Sequence, residues 1–236
     1  MSARTDAADA LDPTDALTRP VEPDPTTVAA GLDPVAATIT EADHLAEHLG
    51  EALAEHGHVT IVSTHLVPGP GGASSHLALS IRWCSPPPGE RDLVAIIDRL
   101  CERLVPETAA AAAHEIGAAT GGSQQLRRGY ADLADSAAEV ALLARHGTTG
   151  RAVVYPGRQR LVGELTVAEL VDRCAIDAVE GIAGTVVTHA TVVRTRDFVR
   201  PVWRDGRLVL LVQPAADDTV VPFENPAPTP CCADHA

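Results

Sequence analysis

The chain has 236 residues, 45% of them hydrophobic and only 3% aromatic, with a formal net charge of −14. That length suits one large domain or two small ones, with a buried core built from Leu, Val, Ile and Ala. The negative charge argues against nonspecific binding to nucleic acid or an acidic membrane, and the absence of lysine (all 18 basic residues are arginines) excludes Schiff-base and P-loop chemistry.

The acidity is concentrated at the front. Residues 1–57 carry twelve acids and two arginines, whereas residues 58–236 carry twenty acids and sixteen arginines. Residues 1–39 mix Asp, Pro, Thr and Ala without a sustained apolar period, so this stretch reads as a disordered tail. Its N-terminal portion lacks an apolar signal-peptide core, and no stretch resembles a membrane span. The five cysteines, an odd number, then read as free thiols of a cytoplasmic protein.

From Thr40 the pattern becomes helical, with Thr40 as the N-cap, Asp43 at N3, Leu45, Leu49 and Leu53 on one face, and a stop at Gly57. The runs "HVTIVSTHLV" and "SHLALSIRW" flank "PGPGGAS", which predicts a β-hairpin. Residues 90–104 place Leu93, Val94, Ile96, Ile97, Leu100, Cys101 and Leu104 on one helical face. Alanine content predicts helix over 107–118, with a short strand near Ile116 as the alternative, and Gly121-Gly122 breaks the segment.

A further helix is expected from Ser123 to Gly147, with Leu126, Tyr130, Leu133, Ala137, Val140 and Ala144 as its buried stripe. "RAVVYPG" reads as a short strand. Thr166 and Glu169 form a capping box that opens a helix over 166–182, with Leu165 and Leu170 as a hydrophobic staple. The remainder, "TVVTHATVVR", "FVRPVWR", "RLVLLVQP" and "TVVPF", is β, with Asp205-Gly206 as a hairpin turn and Pro201 at an edge or bulge. The fold class is therefore α+β: a hairpin, several amphipathic helices and a C-terminal antiparallel meander. The expected organisation is a tail over 1–39, a globular domain over 40–224 (subdivided as 58–165 and 166–224) and a Pro-rich tail over 225–236.

Residues 126–165, "LRRGYADLADSAAEVALLARHGTTGRAVVYPGRQRLVGEL", resemble the end of the GGDEF-like domain of PucR/CdaR-type bacterial regulators. The likeness lies in the Ala-rich helix Ser136–Ala144, the turn Gly147–Gly150, the strand Val153–Tyr155 and the tail Leu161–Leu165. It implies a ferredoxin-like α+β regulatory module without cyclase activity. The family's helix-turn-helix is absent here, so DNA binding is not implied.

Two motifs suggest chemistry. His44-Leu-Ala-Glu47-His48 matches H-x-x-E-H, in which histidines four apart share a helical face and the glutamate serves as base; Glu115 or Glu139 would have to supply a third ligand. The leucines on the opposite face make a solvated surface helix the competing reading. At the C-terminus Cys231, Cys232 and His235 supply three soft or borderline ligands suited to zinc or copper, on a Pro-rich tail that suits a mobile end equally well. No G-x-S-x-G, CxxC or glycine-rich nucleotide loop occurs.

The sequence thus points to a non-enzymatic cytoplasmic regulatory or protein-interaction module. It would self-associate through its sheet or the 123–146 helix, or bind a protein partner, without nucleic acid or membrane. The alternative is a metal-binding or thiol-sensing protein using Cys231, Cys232 and His235.

Overall fold

The computed structural model describes residues 26–84, 88–104, 117–121 and 126–225. Expectations for residues 1–25, for most of 107–118, for Ser123 and for the tail with Cys231, Cys232 and His235 lie outside the described residues. The rest is an α+β fold with four helices and twelve strands joined in one sheet, in the order β5-β4-β1-β3-β2-β6-β10-β11-β12-β9-β7, with β8 paired to β11.

The first half builds a βαββαβ unit: β1 (Ala29–Ala36), α1 (Ile39–Glu55), β2 (Thr60–Val67), β3 (His76–Trp83), α2 (Glu90–Leu104) and β4 (Gly117–Gly121). Its strands lie in the antiparallel order β4-β1-β3-β2, the ferredoxin-like arrangement. The expected hairpin is present with an unbroken register from Thr60 opposite Trp83 to Val67 opposite His76. Along β1 and β3, Ala30, Leu32, Leu79 and Ile81 point to the α1/α2 side. There they meet Leu45, Leu49 and Leu53 of α1 and Ile97 and Leu100 of α2.

The other face of the same sheet is covered by α3 (Ala131–His146). This helix lies close because the residues beneath it are small. A Cβ on Gly31 would collide with the backbone carbonyl of Ala137, and one on Gly117 with that of Leu133. Of its expected stripe, Leu133, Ala137, Val140 and Ala144 are buried against the sheet, whereas Tyr130, at the N-cap, is exposed. Gly147 ends the helix in the left-handed region, at φ 62°.

Beyond β5 (Arg127–Arg128) and β6 (Arg151–Val154), the C-terminal part contains β7 (Glu164–Thr166), α4 (Val167–Arg173), β8 (Ala178–Gly181), β9 (Val192–Arg194), β10 (Val202–Arg204), β11 (Arg207–Pro214) and β12 (Val220–Pro222). Here Tyr155, Leu170, Ile176, Trp203, Leu208 and Leu210 form a second core. The expected turn Asp205-Gly206 joins β10 to β11, with φ of 50° and 80°. The capping box is complete: Thr166 Oγ1 accepts from Glu169 N at 3.2 Å, and Glu169 Oε2 accepts from Thr166 N at 2.9 Å.

Several expectations are corrected. The segment read as a tail through residue 39 contains β1 at 29–36, paired on both sides and almost wholly buried. Helix α1 is capped by Thr38, whose Oγ1 accepts from Glu41 N, and not by Thr40 and Asp43. The described end of the 107–118 segment, Gly117 onward, is strand β4. Helix α3 starts at Ala131 after Tyr130, because Gly129 turns the chain out of β5 at φ 81°. Helix α4 stops at Cys174, short of residue 182, since Ala178–Gly181 pairs in parallel with β11. Strand β6 contributes to both cores: Val153 packs into the α1-side core and Ala152 into the C-terminal one. Pro201 precedes β10, an interior strand, and accepts from Ala152 N at 2.8 Å.

Candidate functional site

The outer face of α1 meets the C-terminal strands in a charged groove. Arg151, on β6, is the central residue. Its Nε donates to both Glu224 oxygens at 2.8 and 2.7 Å, while Nη1 and Nη2 donate to Asp43 at 2.5 and 3.0 Å. Burial disfavours its charge, but the hydrogen bonds to Glu224 and Asp43 outweigh this and raise its pKa above the ordinary arginine value. Arg200 reaches Asp43 at 3.4 Å and Glu47 at 3.7 Å and lies over the Phe198 ring, its Cζ 4.4 Å from the centroid. Arg158 donates to Glu47 Oε1 at 3.0 Å and to the Val153 carbonyl at 2.8 Å.

Two adjoining cavities open beside this network. The larger, about 820 Å³, is lined by residues that include Asp43, His44, Glu47, Arg151, Phe223 and Glu224. The smaller, about 380 Å³, has Arg158, Val162 and Asp197 in its walls; Glu47, Phe198 and Arg200 belong to both. The chain has only two phenylalanines, Phe198 and Phe223, and both line the larger cavity. Phe223 is 54% exposed.

The structure places the H-x-x-E-H residues at this groove but does not assemble a metal centre from them. His44 and His48 are exposed on one face of α1 with ring centroids 6.5 Å apart, and Glu47 is held by Arg158 and Arg200. Glu139 is exposed on α3, across the sheet from α1, so it cannot join them, and Glu115 lies outside the described residues. Among the described residues no group of three or more His, Cys, Asp or Glu side chains is arranged to hold a metal.

A second polar cluster is sealed between the sheet and α3. His76 Nε2 lies 2.8 and 2.9 Å from the two oxygens of Asp33, a residue with 0% exposure. His65 Nε2 lies 2.8 Å from Ser80 Oγ, with Gly150 against the ring; burial pushes the His65 pKa down to about 4. Ser63 Oγ, His65 Nδ1 and His76 Nδ1 find no hydrogen-bond partner among the described residues. Asp33 also accepts from Val35 N at 3.0 Å, across a bulge in β1 where Val35 has φ 55°. A β-branched residue in that region is strained. The His65–Ser80 pair has no carboxylate on Nδ1 to orient the ring, so it is not a catalytic triad.

Sequence reasoning missed both constellations. Asp33 and His76 are forty-three residues apart, and Asp43 and Arg151 one hundred and eight. No local pattern announces either pair. The signal available was an Asp within an otherwise apolar run, "AAGLDPVA".

No family model matches the chain, and no curated protein matches it. Among solved structures, a phage SAM lyase in complex with S-methyl-5'-thioadenosine is similar at 7% identity and a TM-score of 0.30, over 44% of this chain and 89% of that one. A likeness at that level transfers neither fold nor function. No helix among the described residues is long and apolar enough to cross a membrane.

Proposed function

We propose that the chain is a non-enzymatic regulatory module that binds a small organic cation with an apolar ring in the groove beside α1. The observation that carries this reading is the composition of the larger cavity. Its walls bring together three carboxylates, two arginines and both phenylalanines of the chain. Arg151 is already engaged by Asp43 and Glu224, so it has little left to offer an anionic ligand. The carboxylates of Asp43, Glu47 and Glu224 line the cavity as acceptors, and Phe223 at the rim offers a ring face for cation–π contact with a positive guest and for apolar packing. A volume of about 820 Å³ falls in the range of small-molecule sites.

The regulatory part of the reading draws on the resemblance of residues 126–165 and on the position of the network between the two cores. A ligand touching Glu47 and Phe223 would alter contacts on both sides of β6, a change that a protein partner could read. The test is a titration with benzylamine and with phenylacetate as opposed probes, followed by NMR. Benzylamine should shift His44 and Phe223 signals saturably, and Glu47→Gln should weaken it about tenfold. Equal binding of both probes, or binding of neither, would remove the proposal.

A further inference from the structure

A separate cleft of about 220 Å³ lies between the C-terminal turns of α1 and α2. Ala52, Leu53, Ile96 and Leu100 form its buried floor, and His56, His58 and Arg99 also line it, with no carboxylate among the described lining residues. Drug-sized ligand sites begin at about 300 Å³, so this cleft is better matched to one or two aliphatic side chains. The described chain enters the fold beside it. Val28 packs against the same core as Leu53 and Leu100, and its carbonyl accepts from Trp83 N at 3.1 Å. The His58 ring stands edge-on to Trp83 at 6.4 Å.

We propose that the N-terminal segment of this chain docks here, with Leu11 and Leu17 in the cleft and the aspartates around them against its basic lining. The segment has the required chemistry. Within "DALDPTDAL", residues 9–17, three aspartates (Asp9, Asp12 and Asp15) lie near two leucines, Leu11 and Leu17. Its reach is ample: the nine residues from Leu17 to Thr26 span up to about 30 Å. Leucine side chains would remove the apolar floor from water, while carboxylates beside Arg99, His56 and His58 fix the direction of approach. The arrangement is an intramolecular tether, independent of the groove on the other side of α1.

The test compares NMR spectra of the full-length chain with those of full-length Leu11→Ser/Leu17→Ser. A second control, thermal unfolding of both chains, reads whether the substitutions change the stability of the fold. Amide and methyl shifts should differ at Leu53, His58, Ile96 and Leu100 and remain the same on β8–β12. A peptide of residues 5–22, added to the double variant, should restore the wild-type shifts, and Arg99→Glu should weaken that peptide at least tenfold. Identical cleft signals in the two chains would overturn the proposal. So would differences centred on another face, or cleft perturbations that vanish on dilution, which would identify a second copy as the occupant.

Discussion

His65 and Ser80 meet on neighbouring strands of the hairpin, ring Nε2 to hydroxyl Oγ at 2.8 Å, beneath helix α3 and against Gly150. Burial lowers the His65 pKa from 6.5 to about 4. The unfolded chain therefore binds a proton that the native state refuses between those values. The stability from this group is fully present above pH 6.5 and is lost as the pH falls towards 4, by about 3 kcal/mol in all. Urea unfolding at pH 7.5 and pH 4.5 should show the loss, and His65→Asn should flatten it. An unchanged slope in that variant would place the acid sensitivity elsewhere.

Gly31 lies beneath α3, and any Cβ there would press into the Ala137 carbonyl. Gly31→Ala should destabilise the fold by about 2 kcal/mol, because a backbone carbonyl cannot rotate away as a side chain can. The thermal midpoint should fall by a few degrees, and hydrogen exchange should accelerate first in α3. A neutral result would mean that the helix rests further from the sheet in solution.

Arg151 holds an acid from each side of β6, Asp43 from α1 and Glu224 from the chain after β12. Arg151→Met would leave both carboxylates partly buried and without this partner, a loss of about 2 kcal/mol for groups not fully removed from water. A double-mutant cycle with Asp43→Asn should return a coupling of about 1 kcal/mol or more. Additive effects would show that the ion pairs hold nothing together.

The capping box of α4 is a simpler case. Thr166→Ala removes the hydroxyl that accepts from Glu169 N and should cost about 1 kcal/mol, while Thr166→Ser should be nearly silent. Denaturation midpoints of the two variants decide the matter.

Cys101 has its pKa pushed up to about 11 by burial and by the charges of Asp98 and Glu102, and burial raises Cys84 and Cys174 as well. At pH 7.5 the thiolate population of Cys101 should lie roughly two orders of magnitude below that of an ordinary thiol. Brief alkylation read by mass spectrometry should therefore label Cys101 last among Cys84, Cys101 and Cys174. Repeating it with zinc tests the terminal ligand set directly: protection of both terminal cysteines is the expected result if they bind metal with His235.

What could be read from the sequence was local. The β2–β3 hairpin carries its own turn and pattern, α2 its own apolar face, and α4 its own capping pair; each signal lies within one element. Strand β1 escaped because it is paired on both sides and covered on both faces, which erases the alternation that marks a half-exposed strand. Its Pro34 and Asp33 also look like turn residues, and only the bulge and the distant His76 explain them. The groove was half legible. H-x-x-E-H lies on the groove face of α1, where Glu47 pairs with Arg158 and Arg200, partners that no local pattern announces.

The sheet is continuous, yet β6 and β10 are joined at a single residue pair, Val202 opposite Arg151, with backbone bonds from Ala152 N to the Pro201 carbonyl and from Trp203 N to the Gly150 carbonyl. The junctions within the βαββαβ unit are several pairs long, while in the C-terminal part β9 and β12 are likewise joined at one pair, Val193 opposite Val220. A molecule stretched between its two halves would tear along that line as a zipper with one tooth, and the guanidinium of Arg151 sits there as the clasp. Loading would then end in two mechanical steps, with the clasp setting the force of the first.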